Sequence, residues 1–140
     1  MERFEFVDIT TADIAFVAYG KSLSELFGNA AVAMFEIMIN TRQVRPVVTE
    51  MIRVKGTDLE SLMFNWLNAL LVHVDGDGVA FSKFNVNLDE EKFSLSASCV
   101  GEKIDSKRHE VRTEVKAATY HKLEIKKEDG LWRARVIIDI

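Results

Sequence analysis

At 140 residues the chain has room for one domain built around one core. Its 48% hydrophobic and 29% charged residues suit a globule, and no apolar run approaches the ~20 residues of a membrane-spanning helix. Twenty-two acidic against eighteen basic residues leave a net charge of -4, so the basic excess of a protein that grips a nucleic-acid backbone is missing. If the chain serves RNA chemistry, a partner is expected to hold the RNA.

The opening, Met1-Glu2-Arg3-Phe4-Glu5-Phe6, has no long apolar stretch, so no secretory leader is expected. Polar and apolar residues alternate over 2–7, which predicts a strand. Asp8-Ile9-Thr10-Thr11-Ala12 reads as a turn. Residues 13–19, β-branched and aromatic and followed by Gly20, read as a second strand.

Ser22-Leu23-Ser24-Glu25 has the spacing of a capping box. Leu23, Leu26, Phe27, Ala30, Met34, Phe35 and Met38 then recur every three or four residues, predicting a one-sided helix that stops near Asn40. At that spacing the methionines belong to a core rather than a binding groove. Residues 47–55 read as a strand. Thr57-Asp58-Leu59-Glu60 repeats the box, and Leu59, Leu62, Met63, Trp66, Leu67, Leu70 and Val74 form a second apolar stripe. Asp75-Gly76-Asp77-Gly78 ends that helix. As a calcium loop it fails, because neither register supplies both the central Gly and a bidentate Glu at the twelfth place.

The remainder reads as strands: 79–89 and 91–104 as a hairpin across Asp89-Glu90, then 114–127 and 131–140 across Asp129-Gly130. Residues 105–112 are charged and read as a loop. Alternation sets Phe93, Leu95, Ala97 and Cys99 on one face, Lys116, Ala118 and Tyr120 on another, and Trp132, Ala134, Val136, Ile138 and Ile140 on a third. Late strands without intervening helices give an α+β class: mainly antiparallel sheets with two amphipathic helices, in a single compact domain over 1–140.

The usual chemical signatures are missing. There is no phosphate-binding glycine loop and no Gly-x-Ser-x-Gly or His-Glu-x-x-His. His73, His109 and His121 lack the paired spacing of zinc ligands. Cys99, the one cysteine, reads as a small buried hydrophobe, with no disulfide partner and no base spaced beside it. It fits a reducing, cytoplasmic setting. Two acids stand out: Asp13, opening a strand after a turn, and Asp139, in the apolar run Val136-Ile137-Ile138-Asp139-Ile140. Asp139 and a terminal carboxylate on Ile140 would be like charges at close range, which a hard cation would relieve.

Asp8-Ile9-Thr10-Thr11-Ala12-Asp13-Ile14, Ala18-Tyr19-Gly20-Lys21-Ser22-Leu23 and Asn29-Ala30-Ala31-Val32-Ala33-Met34-Phe35 resemble the archease family. So do Val115-Lys116-Ala117-Ala118-Thr119-Tyr120-His121 and Ala134-Arg135-Val136-Ile137-Ile138-Asp139-Ile140. The resemblance spans essentially the whole chain. It departs at the first motif, where many members read Asp-His-Thr-Ala-Asp. Here the His is missing and the turn has one extra residue, while the acid survives as Asp13. Ala118 also replaces a larger aliphatic. The resemblance implies a non-enzymatic accessory protein of the RtcB-type RNA ligase. That ligase joins 3′-phosphate or 2′,3′-cyclic phosphate ends in tRNA splicing and RNA repair, using GTP and manganese. The accessory protein promotes guanylylation and multiple turnover of the ligase. The resemblance also implies a divalent-metal site of Asp13, Asp139 and Ile140, taking calcium, magnesium or manganese, and an activating role for Lys116. A chaperone-like action on a tRNA methyltransferase is the family's other proposed role.

Overall fold

Residues 3–140 are described by a computed structural model. The chain runs through β1 (Phe4–Ile9), β2 (Asp13–Gly20), α1 (Leu23–Met38), β3 (Val48–Lys55), α2 (Leu59–Asp77), β4 (Val79–Asp89), β5 (Ser94–Lys103), β6 (Ala117–Ala118), β7 (Glu124–Glu128) and β8 (Leu131–Asp139). The first strand begins later and runs further than the alternation predicts; Glu2 lies outside the described residues.

All pairings are antiparallel. One sheet has the order β1-β2-β8-β6, with β7 also on β8, and the other has the order β3-β5-β4. Both helices pack against strands of both sheets, so one core is shared between two sheets and the pair of helices. This is the α+β architecture expected from the run of late strands. Among the described residues, no helix is long and apolar enough to cross a membrane.

The helix signals map onto visible chemistry. Ser22 Oγ accepts the Glu25 amide at 3.1 Å and starts α1. The second box sits one residue later than its spacing suggests. Asp58, not Thr57, is the cap: its carboxylate accepts the Ser61 amide at 2.7 Å, and Ser61 Oγ accepts the Asp58 amide at 3.1 Å. Asp is the better N-cap acceptor, and Ser61 serves where the spacing points to Glu60. At the far end of α2, Gly78 takes the left-handed conformation (φ 66°) that its missing Cβ permits. The Met34, Met38 and Met63 side chains are buried, as the spacing requires. At the centre Trp66 is fully buried, and its indole N–H donates to the Phe27 carbonyl at 3.0 Å, tying α2 to α1.

Two expected strands are corrected. The hairpin after β4 has a four-residue turn, 90–93, and Phe93 sits in it with φ 48° rather than on the apolar face of β5. Leu95, Ala97 and Cys99 do form that face. The continuous strand expected at 114–127 is broken into β6 and β7. Both pair with the same edge of β8, through Ala118↔Ile138 and Glu124↔Arg135. Six steps of chain therefore span three steps of β8, and the excess is expelled as a turn in which Lys122 has φ 53°. Alternation fails with it: Ala118 is buried, while Lys116 and Tyr120 are exposed.

Candidate functional site

The site is built where β2 begins and β8 ends. The preceding turn is closed by Thr10. Its amide donates to the Asp13 carbonyl at 2.8 Å, and its Oγ1 accepts the Ala12 and Asp13 amides at 3.1 and 3.0 Å. The same hydroxyl lies 3.1 Å from Asp13 Oδ1 and can donate to it. The turn thus fixes both the backbone and the carboxylate of Asp13 through Thr10.

The antiparallel register of β2 and β8 sets Asp13 directly opposite Asp139. Residues opposed in this way point to the same face of a sheet, with Cβ atoms roughly 5 Å apart. The Ile140 amide donates to the Ala12 carbonyl at 3.0 Å, so the chain stays docked one residue past β8. On the other side of β8 the Lys116 amide donates to the Asp139 carbonyl at 2.8 Å. The four residues singled out from the sequence, Asp13, Asp139, Ile140 and Lys116, therefore meet at one corner of the larger sheet. Both acids are half-buried and the Lys116 side chain is exposed.

Like charges directly opposed across a strand pair are unfavourable. A cation between them turns the repulsion into ligation. The side-chain donors brought together at this corner are oxygens, the carboxylates of Asp13 and Asp139. Such a set suits calcium, magnesium or manganese rather than zinc or copper. Among the described residues, no three His, Cys, Asp or Glu side chains group to hold a metal. An ion here would take two side chains and complete its shell from main chain and water, as weak, open calcium sites do.

A second polar group carries no signal in the sequence. Glu102 and His109 are buried. The Glu102 carboxylate accepts the Arg45 amide at 2.7 Å, lies 3.0 Å from His109 Nε2 and receives the Arg108 guanidinium on its other oxygen. The Asp105 amide donates to His109 Nδ1 at 2.9 Å, and Arg108 Nη2 lies 3.0 Å from His109 Nε2. This group pins loop 105–112 to β5 and to the chain entering β3. Nothing in the spacing of Glu102 and His109 distinguishes it from two surface residues. Arg112 fastens the same loop to α1: its guanidinium meets Glu36 and Glu110, and its amide donates to the Met38 carbonyl at the helix end. Burial pulls the Glu36 carboxyl up, but the Thr41 hydroxyl and amide and Arg112 outweigh it and leave it below its ordinary value.

This fold, with acids joined at one sheet corner and no assembled catalytic set in the sequence, defines a small α+β protein of a recognisable class. Residues 4–140 match the Archease protein family (MTH1598/TM1083). Two proteins named "Protein archease" are 44% identical over 140 residues (Sulfurisphaera tokodaii) and 45% over 142 residues (Methanothermobacter thermautotrophicus), each match covering 100% of both chains. The solution structure of Methanobacterium thermoautotrophicum protein 1598 superimposes with a TM-score of 0.87 at 45% identity, covering 100% of both chains. The crystal structure of a Thermotoga maritima archease, described as a possible chaperone, shares the fold at a TM-score of 0.68 and 21% identity, over 94% of this chain and 93% of that one. The chain belongs to the archease family.

Proposed function

We propose that this protein activates an RtcB-type 3′-phosphate RNA ligase in the cytoplasm, promoting guanylylation and multiple turnover, and is not itself an enzyme. The carrying observation is the Asp13–Asp139 pairing with the Lys116 amide on the Asp139 carbonyl, in a chain of the archease family. Those residues come from three segments, and binding a cation is the purpose that two carboxylates placed face to face would serve. Asp13, Asp139 and the carboxyl oxygens of Ile140 would hold a divalent ion. When bound, it supplies a large local positive charge. The chain's own part is to hold the carboxylates rigidly, through Thr10 and the β2–β8 register, and to present Lys116 beside them. A net charge of -4 lets the protein be steered toward the basic RNA-binding surface of a ligase.

The test is ligation of a 3′-phosphate RNA by a limiting amount of the ligase. The wild-type chain should raise the number of turnovers, while Asp13→Ala, Asp139→Ala and Lys116→Ala chains, folded by circular dichroism, should not. Equal stimulation by Asp13→Ala and Asp139→Ala would overturn the site. A double variant that leaves the ligase unstimulated but still alters the oligomeric state of a tRNA methyltransferase would favour the chaperone-like role instead.

A further inference from the structure

The solvent face of the β3-β5-β4 sheet has a constructed shape. Its central strand, β5, exposes serines, and its flanking strands expose long side chains. The register sets Arg53, Ser96 and Asn87 in one row across the three strands and Lys55, Ser94 and Asp89 in the next. Residues in a row lie on the same face, about 5 Å apart from strand to strand. Short side chains in the middle and long ones at the sides make a trough. The space there, about 590 Å³ and open to solvent, is lined by these six residues together with Ser24 of α1, Val54, Leu88 and Leu95. That is the size of a small-ligand site.

The trough's charges are not spent on the protein. Among the described residues, neither Arg53 nor Lys55 takes part in an ion pair. The nearby carboxylate, Asp89, is engaged in its own turn, where Oδ1 accepts the Glu91 and Lys92 amides at 3.1 and 3.3 Å. The space is thus lined by a guanidinium, an ammonium, two serine hydroxyls, a carboxamide and the Asp89 carboxylate, whose charge its amide contacts leave in place and which a phosphate held by Arg53 and Lys55 must avoid. A guanidinium next to hydroxyl donors matches the oxygens of a phosphate, and Asn87 can read neighbouring hydroxyls. The outward positions of these three strands, from Thr49 to Lys55, Lys83 to Asp89 and Ser94 to Val100, hold no aromatic ring. The stacking platform of a single-stranded nucleic-acid groove is therefore missing.

We propose that this trough binds a small phosphorylated molecule through its phosphate, with Arg53 and Lys55 as the anion-holding pair and Ser94, Ser96 and Asn87 as hydrogen-bonding partners. It lies on the other sheet from the acidic corner and does not depend on the ligase reading. The phosphate could belong to a sugar phosphate or to a nucleotide.

Amide NMR titration of the full chain tests this, with ribose 5-phosphate, guanosine 5′-monophosphate, ribose and oligouridylate as probes. Both phosphates should shift the amides of Arg53, Lys55, Asn87, Ser94 and Ser96, and ribose should not. The exposed Arg53→Gln, Lys55→Gln double variant should keep its spectrum and lose about tenfold or more in affinity for them. Equal affinities would assign the contact to the phosphate alone, and tighter guanosine monophosphate binding would assign a nucleotide. Shifts elsewhere, shifts with ribose, or unchanged affinity in the double variant would overturn the site. Tighter binding of oligouridylate along Ser94 to Val100 would replace it with a polynucleotide face.

Discussion

His109 and Glu102 hold each other out of water: the imidazole Nε2 lies 3.0 Å from the Glu102 Oε2, and both residues are buried. The Arg108 guanidinium, more than any other neighbour, holds the Glu102 carboxyl down from its ordinary 4.5 to about 2, with the Arg45 amide and His109 adding to the effect against burial. The sign follows. A carboxyl depressed in the folded state contributes stability above its unfolded pKa and loses it as the pH falls through the folded one. Thermal midpoints should therefore be level near neutrality on this account and fall as the pH drops from about 4.5 toward 2. In Glu102→Gln the neutral-pH midpoint should be lower and the acid fall shallower. Melting curves by circular dichroism across that range check this; parallel acid limbs in the two proteins would count against it.

Cys99 lies at the middle of β5, fully buried. Burial pushes its thiol up to about 12, and the neighbouring Glu50 carboxylate adds to the rise. The thiolate is the reactive form, so at pH 8 almost none is present and reagent must also wait for the strand to open. Iodoacetamide should leave the native protein unlabelled over hours and label it within minutes in denaturant. Mass spectrometry at increasing urea concentration should give a labelling curve that follows unfolding by fluorescence.

Much of this fold is legible because its signals are local. The stripe from Leu23 to Met38 needs only helical spacing, and β4 only alternation between two turn sequences. What is not legible depends on partners distant in sequence. The split of 114–127 follows from both pieces competing for one edge of β8, which no window on that segment contains. Phe93 looks like a strand residue by composition, and its left-handed turn is set by closing the hairpin against Gly56, whose amide donates to the Phe93 carbonyl at 2.8 Å. Asp13 and Asp139 are visible as odd acids, but their meeting rests on sheet order alone. The trough at Ser94 and Ser96 reads as an ordinary polar face until three strands are set side by side.

Two glycines give opposite predictions. A Cβ on Gly101 would fall 1.8 Å from the Ala80 carbonyl oxygen, a backbone atom of the neighbouring strand with no room to yield. Gly101→Ala must spread β4 from β5 beside the bulge at Phe81, and a loss of roughly 1–3 kcal/mol or more is expected from such overpacking. Gly76 lies in the last turn of α2, and a methyl group added there would meet nothing within 4 Å. Gly76→Ala should gain about 0.5–1 kcal/mol by restricting the unfolded chain and raising helix propensity. Urea midpoints at constant slope measure both; a stable Gly101→Ala would mean the two strands part easily.

The acidic corner makes a prediction that needs no ligase. With chelator present, Asp13 and Asp139 repel across the β2–β8 pair, and directly opposed like charges cost about 0.2–1 kcal/mol. Asp139→Asn should then melt at or above the wild-type temperature. On the proposal that calcium is held by the folded corner and not by the unfolded chain, it should stabilise the wild type by an amount that grows with the logarithm of its concentration, about 2.7 kcal/mol at a hundredfold excess over the dissociation constant. The order of the two melting temperatures should reverse as calcium is added, and the variant should stay where it was. Calcium, magnesium and manganese tested in parallel rank the ions, with the hard oxygen donors favouring those that accept carboxylate and water together. A wild-type melting temperature indifferent to all three at millimolar concentration would leave the paired carboxylates as a plain electrostatic cost, and the metal centre would have to be given up.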